Sequence, residues 1–121
     1  MVKRYTKNPV GAHYGLSEWL LQRLTAVVMA VYTVFAFLYV VYRQPATYAE
    51  WTAMFSANFF RLFTMFFIAA LLYHAWVGVR DILMDYIRAT GVRLIAQCGV
   101  GAVLFFYLIW SASILWGRAS Q

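Results

Sequence analysis

Three apolar runs dominate the chain. Leu24 to Tyr42 has only Thr25, Thr33 and three tyrosines as polar relief, Leu62 to Val79 is interrupted by Thr64 and His74, and Leu94 to Trp116 contains Gln97, Ser111 and Ser113. At about 1.5 Å per residue, a run of about nineteen residues reaches roughly 28 Å, the thickness of a hydrocarbon core. The pattern predicts an all-α membrane protein. Its three transmembrane helices span about 19–42, 59–88 and 93–116, within a single domain covering residues 1–121. The first run is too long for the apolar part of a signal peptide and has no small-residue cleavage site before Arg43.

Punctuation between the runs refines this layout. Ser17 is the expected N-cap of the first helix, with Glu18 in its first turn, and Pro45 ends that helix. Thr47 and Glu50 have capping-box spacing, and Tyr48, Trp51 and Phe55 share one helical face. A short helix lying in the membrane interface is therefore expected before the second span. Thr90-Gly91 is the expected turn between the second and third spans.

Composition excludes the soluble alternative. Hydrophobic residues make up 64% of the chain and charged residues 12%, with a mean hydropathy of +0.69. The ten basic and four acidic side chains leave +6. They are scattered between apolar blocks, so no basic face for nucleic acid exists and the charges read as orientation signals. Lys3, Arg4, Lys7, Arg23, Arg80, Arg88 and Arg93 fall on one side, against Arg43, Arg61 and Arg118 on the other. That imbalance predicts a cytoplasmic N-terminus and an outward C-terminus. The single cysteine, Cys98, cannot form an internal disulfide or hold zinc or an iron–sulfur cluster alone. It is expected to be buried and inert.

The candidate chemistry lies in the few polar residues near the spans. His74 is the only ionisable side chain deep in the second span, where it needs either an interhelical hydrogen bond or a metal or haem to ligate. Ala70 and Gly78 flank it one turn away on each side, a spacing that suits a flat haem or close helix packing alike. Arg23 precedes Ala26 and Ala30 on a small-residue face, and its guanidinium suits a haem propionate or a lipid phosphate. Beyond His74 comes an Arg80-Asp81 pair and then Asp85-Tyr86. At about 100° per residue, Asp81 and Asp85 fall within roughly 20° of the His74 direction, and Tyr86 about 120° away. A phenol can donate to a quinone carbonyl and a carboxylate can pass protons. His13 reads as a surface or subunit-contact residue. No nucleotide fingerprint, zinc spacing or nucleophile elbow is present.

The runs WLLQRLTAVVMAVY at 19–32 and HAWVGVRDILMDYI at 74–87 closely resemble the smaller hydrophobic anchor subunit of bacterial succinate dehydrogenase, respiratory complex II, of the cytochrome b type. The resemblance covers the three-span layout from about residue 11 to 117. It implies half of a heterodimeric helix bundle that holds one haem b between this chain and a sister cytochrome b anchor. By the same resemblance His74 is an axial ligand of the haem iron, and Arg23 sits near the haem propionates. Tyr86 contacts the quinone, with Asp85 beside it in the quinone site. The sister anchor, whose Ser-Pro-His element is missing here, supplies the other axial histidine and a Ser/Arg part of the quinone pocket.

The chain has no flavin site and no cysteine set for clusters, so it is not a catalyst alone. It is expected to anchor a flavoprotein subunit and an iron–sulfur subunit to the bacterial inner membrane, among its lipids. Electrons from the last cluster then reduce ubiquinone near Tyr86. Two rivals stand beside this reading. One is the anchor of a fumarate reductase or another b-type quinone oxidoreductase. The other is a non-redox three-helix protein, although neither the repeats nor the broken helices of transporters are seen.

Overall fold

The computed structural model describes residues 12–117, with side chains from residue 15 onward. Lys3, Arg4, Lys7, Arg118 and the His13 side chain lie outside that description. Four helices follow one another: α1 (Ala12–Arg43), α2 (Tyr48–Met54), α3 (Asn58–Tyr86) and α4 (Thr90–Gly117), with no strand among the described residues. The three long helices are each long and apolar enough to cross a membrane, so the chain is a multi-pass membrane protein.

Five of their hydroxyl side chains are compatible with lipid because each is satisfied within its own helix. The hydroxyls of Thr25, Thr33, Thr64, Ser111 and Ser113 donate to carbonyls three or four residues earlier. The helix ends differ from the sequence expectation in two places. Ser17 is not an N-cap, because α1 already begins at Ala12 and Ser17 lies within it. A helix needs no stop at the hydrocarbon boundary, since its backbone bonds are as good in the headgroup zone. The second connection is made by residues 87–89 rather than by Thr90-Gly91. Ile87 caps α3 through its N–H to Leu83, and the Arg93 N–H already bonds the carbonyl of Ala89, which draws Gly91 into the first turn of α4.

The first connection follows expectation. Gln44 takes a left-handed conformation (φ 43°) and its N–H returns to the Val40 carbonyl, after which Pro45 cannot continue the helix. Thr47 and Glu50 then make both halves of the capping box of α2. Met54, on the inner side of this short helix, is the most deeply buried side chain of the core, 2% exposed.

α3 is the central helix, packed on by both α1 and α4. Contacts along it fix an antiparallel arrangement. Glu18 at the start of α1 meets Arg80 near the end of α3, Tyr32 meets Thr64 at mid-length, and Arg61 at the start of α3 lies against Trp116 at the end of α4. The Tyr32 hydroxyl is 2.6 Å from Thr64 Oγ1, whose own proton goes to the Phe60 carbonyl, so Tyr32 is the donor. Its ring stacks on Phe67 with centroids 4.4 Å apart and meets Phe63 edge-on. This aromatic seam, extended by Phe35, Tyr39 and Phe60, joins α1 to α3. Between α3 and α4 the close approach is Gly101, where an added Cβ would stand 3.4 Å from the Trp76 ring.

The buried core is small. α4 buries no residue, and large apolar side chains stand exposed on all three long helices. Such a surface is stable only against lipid or other membrane helices. Cys98 is part of it. Contrary to expectation it is exposed, because among the described helices α4 packs closely on α3 alone, which leaves most of its surface uncovered.

Candidate functional site

His74 is half-buried on α3, one turn after buried Ala70 and one turn before Gly78. Its Nδ1 is 3.2 Å from the Gln22 main-chain oxygen and 3.1 Å from Thr25 Oγ1, both on α1. A carbonyl oxygen only accepts, so in the neutral ring the proton resides on Nδ1. The Thr25 hydroxyl proton is already directed at the Leu21 and Gln22 carbonyls, 2.9 Å from each, which leaves Thr25 free to accept from the imidazole. Nε2 therefore carries the lone pair, and it has no hydrogen-bond partner among the described residues.

These contacts are the interhelical hydrogen bond that a histidine in an apolar span needs. With one nitrogen fixed on a carbonyl and the other unpartnered, the ring also has the polarity that a metal-ligating histidine uses. Among the described residues no group of three His, Cys, Asp or Glu side chains could enclose a metal ion. A porphyrin iron does not require one. The macrocycle supplies the equatorial nitrogens and the protein only axial ligands, so a single presented Nε2 fits haem and does not fit a bare ion.

The two small residues around His74 have different surroundings. Ala70 is buried inside the bundle, whereas nothing lies within 4 Å of where a Gly78 side chain would begin. Arg23 is exposed, its guanidinium 5.1 Å from the Trp19 ring centroid, and Ala26 and Ala30 are exposed as well. No described residue accepts a hydrogen bond from Arg23. The structure does not bring Arg23 into contact with His74, although Gln22 and Thr25 on either side of it touch the imidazole.

Asp85 and Tyr86 stand at the end of α3, both exposed, Tyr86 to 84%. Neither makes a hydrogen bond to a described residue, and the described residues enclose no pocket around them. Both lie at the end of the bundle where Glu18 meets Arg80.

That ion pair is the feature local sequence patterns missed. Arg80 Nη1 donates to Glu18 Oε1 at 2.7 Å and Nη2 donates to Glu18 Oε2, giving a two-pronged bridge from α3 to α1. The expected Arg80–Asp81 pair is present but secondary, at 3.4 Å. Glu18 is one of only four acidic residues, and antiparallel neighbours with a short connection bring the start of the first helix to the end of the next. That topology was the available signal. The bridge lies one to two turns from the His74–Gln22 contact on both helices, and it pins the same pair of helices.

Comparison with known proteins agrees with this architecture. The sequence profile of the family described as succinate dehydrogenase/fumarate reductase transmembrane subunit matches residues 5–113. A relative from Coxiella burnetii (strain RSA 493 / Nine Mile phase I), a succinate dehydrogenase hydrophobic membrane anchor subunit, is 33% identical over 102 residues, which cover 84% of this chain and 89% of that protein.

Proposed function

The chain belongs to the succinate dehydrogenase/fumarate reductase transmembrane subunit family, and from that premise we propose that it is the smaller anchor of a succinate dehydrogenase, sharing one haem b with a sister cytochrome b anchor and forming part of a ubiquinone site. A membrane anchor of this family associates with the catalytic subunits of its complex. In the proposed assembly these are an iron–sulfur subunit and a flavoprotein subunit, docked on the cytoplasmic face of a bacterial inner membrane. The charge imbalance supports a cytoplasmic N-terminus, with Glu18, Arg80, Asp85 and Tyr86 at the docking side of the proposed assembly.

The observation that carries the reading is the polarity of the His74 ring. Gln22 and Thr25 hold Nδ1 as the donor, so Nε2 is ready to bind iron with no tautomer change. When bound, haem supplies one-electron redox chemistry. The remaining residues orient and balance charge. Arg23 offers a guanidinium whose N–H groups bond no described residue, beside the small exposed face of Ala26 and Ala30, suited to a propionate. Tyr86 offers a phenolic proton to a quinone carbonyl oxygen, and Asp85 is positioned to exchange protons with water at that end. The exposure of Tyr86 is consistent with a site completed by other subunits.

The test is purification of the intact assembly in mild detergent. Three further polypeptides and a dithionite-reduced spectrum of a low-spin b-type haem are expected. A colourless assembly retaining all its subunits would overturn the haem reading, and isolation without catalytic subunits would overturn the anchor reading.

A further inference from the structure

Arg61 is the one buried charged side chain among the described residues, 8% exposed one turn into α3. Unlike Arg80, it has no carboxylate among the described residues. Its Nε donates to the Phe55 carbonyl at 3.2 Å and its Nη2 to the Ser56 carbonyl at 3.3 Å. A guanidinium has about five N–H donors, so most of its hydrogen-bonding capacity is unused within the described residues, and its charge meets only two carbonyl dipoles and the Trp116 ring, 5.9 Å away. The acid closest in sequence, Glu50, is committed elsewhere: its Oε2 accepts from the Ala46 and Thr47 main-chain N–H groups at 2.7 and 3.2 Å.

Arg61 faces a cavity of about 510 Å³ between α2 and the end of α4. Tyr48, Trp51 and Phe55, the face expected to lie on the membrane, wall one side, and Ile114 and Leu115 wall the other. A buried cation at one end and aliphatic side chains at the other describe a site for an amphiphile with an anionic head. Depth supports the same conclusion. Arg61 and Arg80 are nineteen residues apart on one unbroken helix, roughly 28 Å along its axis, so the two arginines stand at opposite edges of a hydrocarbon core. The cavity therefore lies in the headgroup layer of the leaflet opposite Glu18, next to an interfacial Tyr and Trp.

We propose that this cleft binds one anionic phospholipid, its headgroup phosphate held by the free N–H groups of Arg61 and its upper acyl chain against Ile114 and Leu115. The lipid supplies the negative charge that no carboxylate among the described residues offers Arg61. This inference is independent of haem and quinone.

The test uses the intact complex, stripped of lipid in detergent and titrated separately with dioleoylphosphatidylglycerol and dioleoylphosphatidylcholine, with bound lipids counted by native mass spectrometry. The wild type is expected to bind one phosphatidylglycerol that equal phosphatidylcholine does not displace. Arg61→Gln is expected to weaken that binding about tenfold or more. Because Arg61 also holds the turn before α3, Ile114→Trp is the second variant. It fills the cavity, leaves the guanidinium in place and is expected to expel the same lipid. Equal retention of the two lipids, unchanged phosphatidylglycerol binding in Ile114→Trp, or displacement of the lipid by glycerol phosphate at similar concentration would each overturn the proposal.

Discussion

The Nδ1 atom of His74 lies 3.2 Å from the main-chain oxygen of Gln22, across the interface between α3 and α1. A main-chain acceptor cannot be removed by substitution, so this contact outlasts changes to either side chain around it. Thr25 is the adjustable part. Thr25→Val keeps the shape and deletes the second acceptor, 3.1 Å from Nδ1. A hydrogen bond of this kind contributes about 0.5–1.5 kcal/mol, which for a one-electron couple corresponds to a few tens of millivolts. Redox titration of the variant should show full haem content with a midpoint displaced by about that amount. Loss of the haem would show that Thr25 holds the ligand in place rather than tuning it.

The Glu18–Arg80 bridge makes a prediction about register. Glu18→Gln leaves the Arg80 guanidinium, whose Nε is buried without a partner, with half its anchoring. Thermal unfolding of the detergent-purified assembly should then begin at lower temperature, with haem loss preceding loss of the catalytic subunits. Reversing the pair, Glu18→Arg with Arg80→Glu, should recover part of the difference. No recovery would mean that the bridge does not set the α1–α3 register.

The sequence made the three long helices and the α2 capping box legible because both are local. Lipid demands about twenty apolar residues with an internally satisfied backbone, and a capping box is written in two residues three apart. The failures were not local. Ser17 misled because α1 runs past the hydrocarbon edge, and Cys98 misled because an apolar run does not reveal which of its faces has a neighbour. The partners of His74 and Arg80 became visible only once the antiparallel order brought residues 18–25 of α1 beside 74–80 of α3. Arg61 reads from sequence as a flanking charge, although its burial sets it apart from the other described arginines. The faces carrying Arg23, Asp85 and Tyr86 are exposed among the described residues, so the roles proposed for them rest on surfaces that other subunits would supply.

Arg23 is predicted to neutralise a haem propionate. Arg23→Leu keeps a long apolar stem beside Trp19 and removes the charge. Haem retention should fall, or the midpoint should shift downward, because a cation near the haem favours the reduced form with its extra electron. A variant identical to wild type in haem content and potential would assign Arg23 to the lipid surface instead.

Tyr86 is predicted to donate to a quinone carbonyl oxygen. Tyr86→Phe deletes one proton donor and retains the ring, at a residue that makes no hydrogen bond to another described residue. The bond strengthens as charge develops on that oxygen, so succinate:quinone reductase activity should fall about tenfold or more. Succinate oxidation measured with an artificial dye should stay near normal, and haem content should not change. Equal loss of both activities would show that Tyr86 serves subunit docking.

The central claim is that His74 presents Nε2 to haem iron, and the direct measurement is the low-temperature electron paramagnetic resonance spectrum of the oxidised, purified assembly carrying His74→Ala. Wild type should give the low-spin ferric signal of a six-coordinate haem. The variant should replace it with a high-spin signal, or lose the haem, because one of the two axial bonds that the proposal assigns to the iron would be gone. An unchanged low-spin signal at full haem content in His74→Ala would contradict the claim.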